Sequence, residues 1–162
     1  EIAMDVGEKI FYPMHGAGLI KSIEDKDLGD YCERFYVIEL PFEQNLHIFI
    51  KEDDIDKFEF RKLVNEDTLD EVYNYLNNEE FPMPNNWVQR YKENTKRLKS
   101  SDIFNIAYVL KGLAIRNEKG KLSLKELFML NLAKRILVSE FVMVSGFSKN
   151  KINKIIEYSM EH

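Results

Sequence analysis

Val64-Asn65-Glu66-Asp67-Thr68-Leu69-Asp70-Glu71-Val72-Tyr73-Asn74-Tyr75-Leu76 is the stretch where the chain changes period. Leu69, Val72, Tyr73 and Leu76 fall at i, i+3, i+4 and i+7, one face of an α-helix. Asn65 is placed to cap that helix, and Glu66, Asp67, Asp70 and Glu71 set negative charge near its positive end. Upstream the pattern is β-rich. Lys9-Ile10-Phe11-Tyr12, Leu19-Ile20-Lys21-Ser22-Ile23, Arg34 to Leu40 and Leu46-His47-Ile48-Phe49-Ile50 read as strands. Pro13, a turn framed by Gly16 and Gly18, and Asp27-Leu28-Gly29-Asp30 punctuate them. Strands of this length and spacing predict a small antiparallel barrel or a strongly bent sheet.

Downstream the period stays helical. Residues 77–86, with Pro82 and Pro84, read as a rigid connection, and Asn86 caps a helix running to about Leu98. Asp102 caps another, with Ile103, Ile106, Ala107, Leu110 and Ala114 on one face. After a break at Gly120, Ser123-x-x-Glu126 reads as a capping box for a long helix. Its second half is apolar almost all round, which places it in the middle of a bundle. Gly146 ends it, and Ser148 caps a last helix facing inward with Ile152, Ile155, Ile156 and Met160. The expected fold is α+β: a small β module over residues 1–64, then a five-helix bundle over 65–162.

The two halves also differ in charge. Residues 1–84 hold 21 acidic and 8 basic side chains (−13), and residues 85–162 hold 7 and 15 (+8), which together make the whole chain's −5. The single tryptophan, Trp87, stands at this boundary in Asn85-Asn86-Trp87-Val88-Gln89-Arg90-Tyr91-Lys92. A large apolar ring beside cations suits opened or distorted nucleic acid. Helical spacing alone makes Trp87 and Tyr91 core residues and the lysines a solvated face. Against that, Trp87 directly follows a cap, where chains are often exposed and backbone amides are offered to phosphates. Arg90, Lys92 and Lys96 follow it, and Lys111, Arg116, Lys119, Lys121 and Lys125 gather around Gly120, with Lys134 beyond.

No catalytic pattern emerges. His15, His47 and His162 have no partner at metal-ligand spacing. Gly16-Ala17-Gly18-Leu19-Ile20-Lys21 lacks the spacing and context of a phosphate loop, and Glu52-Asp53-Asp54 lacks the glycine and distal glutamate of a calcium loop. No enzyme activity, metal or cofactor is expected. The lone Cys32 forms no internal disulfide, no secretory pattern opens the chain, and Ile136 to Gly146 is too short and carries Glu140. A monomeric cytoplasmic protein without membrane contact is expected.

Three ordered motifs carry a resemblance. Val6-Gly7-Glu8-Lys9-Ile10-Phe11-Tyr12-Pro13-Met14-His15-Gly16-Ala17-Gly18 resembles the opening of the CarD/CdnL family of bacterial transcription regulators. Asn86-Trp87-x-x-Arg90-Tyr91-Lys92-x-Asn94-x-x-x-Leu98 followed by Asp102 resembles the family's second signature. Leu122-Ser123-x-x-Glu126 with Ala133-Lys134-x-Ile136-Leu137-Val138-x-Glu140 resembles its third.

The resemblance implies a Tudor-like N-terminal module that binds the β subunit of bacterial RNA polymerase, here through Lys26, His47, Phe49 and Lys51. It also implies a helical domain on promoter DNA, largely independent of sequence, with a nucleoid-associated location. Trp87 would act as a wedge in the minor groove at the upstream edge of the bubble, favouring the open complex. Arg90, Tyr91, Lys92, Lys96, Lys121, Lys125 and Lys134 would complete the DNA surface, with Arg90 and Lys92 nearest the phosphates. Two departures stand out. Phe49 lies near a strand position that is often basic in relatives, and Leu127-Phe128 follows Ser123-x-x-Glu126 where relatives are often basic. The competing reading is an adaptor on the polymerase without DNA contact. The β module of transcription-repair coupling helicases is similar, but this chain has no Walker motif.

Overall fold

The computed structural model describes residues 4–120 and 122–161, in two compact units, Glu1–Leu63 and Val64–His162. The first unit is an antiparallel sheet of β1 (Lys9–Tyr12), β2 (Gly16–Asp27), β3 (Cys32–Leu40), β4 (Leu46–Lys51) and β5 (Arg61–Lys62), in the order β4-β3-β2-β1-β5. This is the Tudor-like sheet, with a 3-10 turn, Glu52–Lys57, joining its two edge strands. Ile10, Ile20, Ile38, Leu40 and Ile50 form the core, closed by Tyr12, Tyr36, Ile48, Ile55 and Phe60. Burial of each such aliphatic side chain contributes about 1.5–3 kcal/mol.

Two details of the sheet position its outer surface. The β2–β3 register shifts between Ile20 and Ser22. Ile20 opposite Ile38 faces the core, but beyond the shift Ser22, Glu24 and Lys26 stand opposite Val37, Phe35 and Glu33 on the other face. The second detail is a correction. Gly18 does not frame a turn: it lies within β2, opposite Ile10. A Cβ there would stand 2.4 Å from the Glu39 carbonyl oxygen, so the residue is small because a neighbouring backbone passes close by.

The second unit is helical: α1 (Glu66–Asn78), α2 (Trp87–Lys99), α3 (Ile103–Glu118), α4 (Leu124–Ser145) and α5 (Lys149–Glu161). Their starts follow the polar residues read from the sequence. Asn65 accepts from the Thr68 amide, Asn86 from Gln89, Asp102 from Phe104, and Ser148 from Lys151. α4 ends at Gly146 in the left-handed conformation (φ 76°), which glycine adopts without Cβ strain. The middle of α4 is buried without a break from Ile136 to Phe141. Within that run Glu140 accepts the Val64 amide at 2.9 Å, tying the entry of α1 to the central helix.

Candidate functional site

Trp87 is the first residue of α2. It shares a stripe with Arg90, Asn94 and Leu98, all buried, yet it is 48% exposed. The reason is its place at the end of the helix. Side chains tilt toward a helix N-terminus, so the indole projects past the last turn that the bundle covers. Val88 and Gln89 beside it are exposed as well. The ring therefore forms an edge of the bundle.

The connection before it is held by side chains of the same unit. The Tyr108 hydroxyl donates to the Pro82 carbonyl, and Arg116 Nη2 donates to the Met83 carbonyl at 3.0 Å and to Asn85 Oδ1 at 3.3 Å. Arg90 Nη1 donates to the carbonyls of Pro84 and Asn85, both at 3.0 Å.

Arg90 corrects the expectation that it faces phosphates. It is 3% exposed, and Nε and Nη2 grip Glu126 at 2.7 and 2.8 Å. Both Glu126 oxygens are taken in this fork, and the residue is fully buried at the start of α4. A guanidinium enclosed in this way has no face left for DNA. Burial opposes the Glu126 charge, but the Arg90 hydrogen bonds and charge outweigh it and hold the carboxyl below its ordinary range. The Glu126 hydrogen bond in turn raises Arg90. The capping box forms beside this fork: Ser123 Oγ accepts the Glu126 amide, and the Ser123 backbone amide and hydroxyl donate back to the Glu126 carboxylate.

The remaining cations divide. Lys92, Lys96 and Lys125 are exposed, and Tyr91 is half-buried with Lys125 Nζ 5.9 Å from its ring centre. Lys134 is paired with Glu157 at 3.0 Å. Lys121 lies outside the described residues. On α4, Leu124 and Phe128 are 70% and 69% exposed, four residues apart on the face opposite Glu126. The sequence reading did not single out Leu124, though its spacing from Phe128 is a legible signal.

The outer face of the sheet gathers Lys26, His47, Phe49 and Lys51. Phe49 is opposite Val37, Lys51 opposite Phe35 and His47 opposite Glu39, so all three β4 side chains share the face that Lys26 reaches beyond the bulge. Lys26 Nζ lies 4.3 Å from the Phe49 ring centre and 5.4 Å from that of Phe35. Phe49 is nevertheless 47% exposed. Lys51 pairs with Glu33 at 3.8 Å, and His47 with Glu39 at 3.1 Å. The hairpin tip adds the exposed Leu28 and Tyr31, which the sequence reading left out. β4 ends the sheet order, so its outer edge carries backbone groups available for pairing.

Among the described residues, no group of three His, Cys, Asp or Glu side chains gathers to hold a metal ion, and no helix is long and apolar enough to cross a membrane. The Nδ1 of His15 lies 2.6 Å from Glu43 in the same unit.

Comparison with known proteins agrees with both units. The family model described as CarD-like/TRCF RID domain matches residues 4–64, and that described as CarD, C-terminal domain matches residues 71–157. YdeB of Bacillus subtilis (strain 168), named as a proposed transcription factor, is 30% identical over 147 residues, covering 91% of this chain and 95% of that protein. With two adjacent domain models matched in order and a relative aligned over nearly its whole length, this chain belongs to the CarD family.

Proposed function

We propose that the protein regulates transcription by binding bacterial RNA polymerase through its β unit and stabilising opened promoter DNA through its helical unit. The polymerase β subunit would meet the outer face of β2, β3 and β4, with Phe49 and Lys26 at its centre and Lys51 and His47 beside them. Residues 1–64 would thus be the polymerase-interacting domain and 65–162 the DNA-contacting domain. Trp87 would enter the minor groove at the upstream edge of the bubble, with Lys92, Lys96 and Lys125 near the phosphates.

The observation that carries this reading is the half-exposed indole at the first position of a capped helix, with Lys125 against Tyr91 one turn further on and Lys92 and Lys96 exposed along the same helix. A ring inserted at an unstacked step binds melted DNA better than closed duplex, and the difference shifts the opening equilibrium. A preference of about 1.4 kcal/mol changes the open-to-closed ratio about tenfold. Tethering to polymerase raises the local concentration of a weak DNA contact, so tight binding by the free protein is not required.

The test is the lifetime of open promoter complexes with wild-type protein and Trp87→Ala, with polymerase binding measured in parallel. A shorter lifetime at unchanged polymerase affinity is expected; equal lifetimes overturn the wedge. The exposed Leu124 and Phe128 favour a second reading, in which the helical unit binds another protein. Salt-dependent binding to a bubble-containing duplex separates the two, since an adaptor has none.

A further inference from the structure

Four successive carbonyls lead into Asn86 and Trp87, those of Pro82, Met83, Pro84 and Asn85, and each accepts from a side chain of the bundle. The donors come from two helices. Tyr108 and Arg116 belong to α3, and Arg90 belongs to α2 while its other nitrogens are fixed on α4 through Glu126. Packing adds to this. The Arg97 guanidinium lies 4.1 Å from the Tyr108 ring centre, and Met83 sits so close to Gly112 that a Cβ there would meet its Cε at 2.2 Å. A connection without secondary structure is ordinarily among the least stable parts of a fold. This one has its peptide groups tied along its length.

Arg116 is the informative member. Its charge groups it with Lys111, Lys119 and Lys125 as a phosphate ligand, but its guanidinium is turned inward to Met83 and Asn85. We propose that Arg116 is a positioning residue: by bridging the Met83 carbonyl and the Asn85 side chain it fixes the direction in which Trp87 leaves the bundle, so that the ring is ordered before it meets DNA. This rests on the wedge reading of Trp87. Ordering a recognition element in advance removes that entropy from the binding step.

The sole tryptophan gives a readout that needs neither DNA nor polymerase. In the full chain, Arg116→Lys keeps the charge but loses the rigid guanidinium plane that holds Nη2 between its two acceptors. Collisional quenching of Trp87 by acrylamide should rise and its fluorescence anisotropy fall, with a smaller change in the same direction for Asn85→Ala. On polymerase–promoter complexes, Arg116→Lys should shorten open-complex lifetime by roughly three- to tenfold, the scale of coupling within one hydrogen-bonded network. That loss should disappear in a Trp87→Ala background.

Two results would overturn the proposal. One is wild-type quenching and lifetime for Arg116→Lys while Arg116→Gln lowers both lifetime and salt dependence, the behaviour of a phosphate ligand. The other is an equal loss of lifetime with and without Trp87. If Trp87→Ala alone leaves lifetime unchanged, the wedge reading fails. The quenching comparison then decides by itself whether Arg116 orders the ring, and unchanged quenching overturns it.

Discussion

Arg90 and Glu126, 36 residues apart, meet in a buried two-point fork at 2.7 and 2.8 Å. It joins the first turn of α2 to the first turn of α4. The remaining Arg90 nitrogen reaches back to the Pro84 and Asn85 carbonyls. One side chain thereby connects the start of the helix that bears Trp87, the connection before it and the central helix of the bundle.

Breaking the fork from one side should cost more than removing it whole. Glu126→Gln leaves a buried guanidinium without its counter-charge, and a loss of about 3–5 kcal/mol is expected. The double change Arg90→Met with Glu126→Leu removes both charges and keeps the volume, so it should recover most of that loss. It also frees the Pro84 and Asn85 carbonyls, so Trp87 quenching should rise even where stability returns. Urea unfolding of the three proteins checks the first point, and acrylamide quenching the second.

The same pair fixes a pH dependence. Because Glu126 is held below the ordinary carboxylate pKa of about 4.3, its contribution is complete above that value and is lost as pH falls through its lower folded value. The stability difference between wild type and Glu126→Gln should be flat from about pH 5 to 8 and narrow below about pH 4. The other carboxylates held low, Asp25 beside Arg34, Glu39 beside His47 and Asp54 beside Lys57, titrate in both proteins and drop out of the difference. A gap that widens on acidification would mean that burial keeps the carboxyl protonated.

This fork also shows where reading the sequence stops. Helix starts are written locally, since Asn65, Asn86, Asp102 and Ser148 each cap an amide two or three residues away. The central place of α4 is legible from its uninterrupted apolar run. Helical period equally puts Arg90, Asn94 and Leu98 on one stripe, but an arginine on a stripe does not announce its burial. Its acceptor lies far along the chain, and a capping-box position explains Glu126 without any partner. Gly18 is similar. Its local pattern allows a turn, and only the close passage of Glu39 from another strand explains it. The exposure of Trp87 depends on where the bundle ends, which no local spacing records.

The lysines should divide in a salt titration. If Lys92 and Lys96 meet phosphates, Lys92→Gln and Lys96→Gln should each reduce the slope of log K against log salt by about 0.9 on a bubble-containing duplex. Lys134→Gln should leave the slope unchanged, because its ammonium is already 3.0 Å from Glu157. Fluorescence titration at several salt concentrations measures this. Equal effects from all three would place the phosphates on a broader surface that includes Lys134 on α4.

Phe49 offers the sharpest separation of the two units. Its ring is 47% exposed on the outer face of an edge strand, with Lys26 Nζ 4.3 Å from its centre. Phe49 faces away from the core that Ile50 joins and Ile48 packs against, so Phe49→Ala opens no cavity there. Loss of its pairing with Val37 and its contact with Lys26 should lower the unfolding free energy in urea by only about 1 kcal/mol. An exposed aromatic flanked by a cation is the type of residue that dominates a docking surface, and its truncation typically costs more than about 1–2 kcal/mol of binding. Affinity for the polymerase β subunit should therefore fall about tenfold or more, with Lys26→Ala producing a smaller loss through the missing cation–ring contact. Binding of the free protein to bubble DNA should not change, the reverse of the pattern expected for Trp87→Ala. Unchanged polymerase affinity for Phe49→Ala would move the docking surface off this face, to the β4 backbone edge or the exposed hairpin tip at Leu28 and Tyr31.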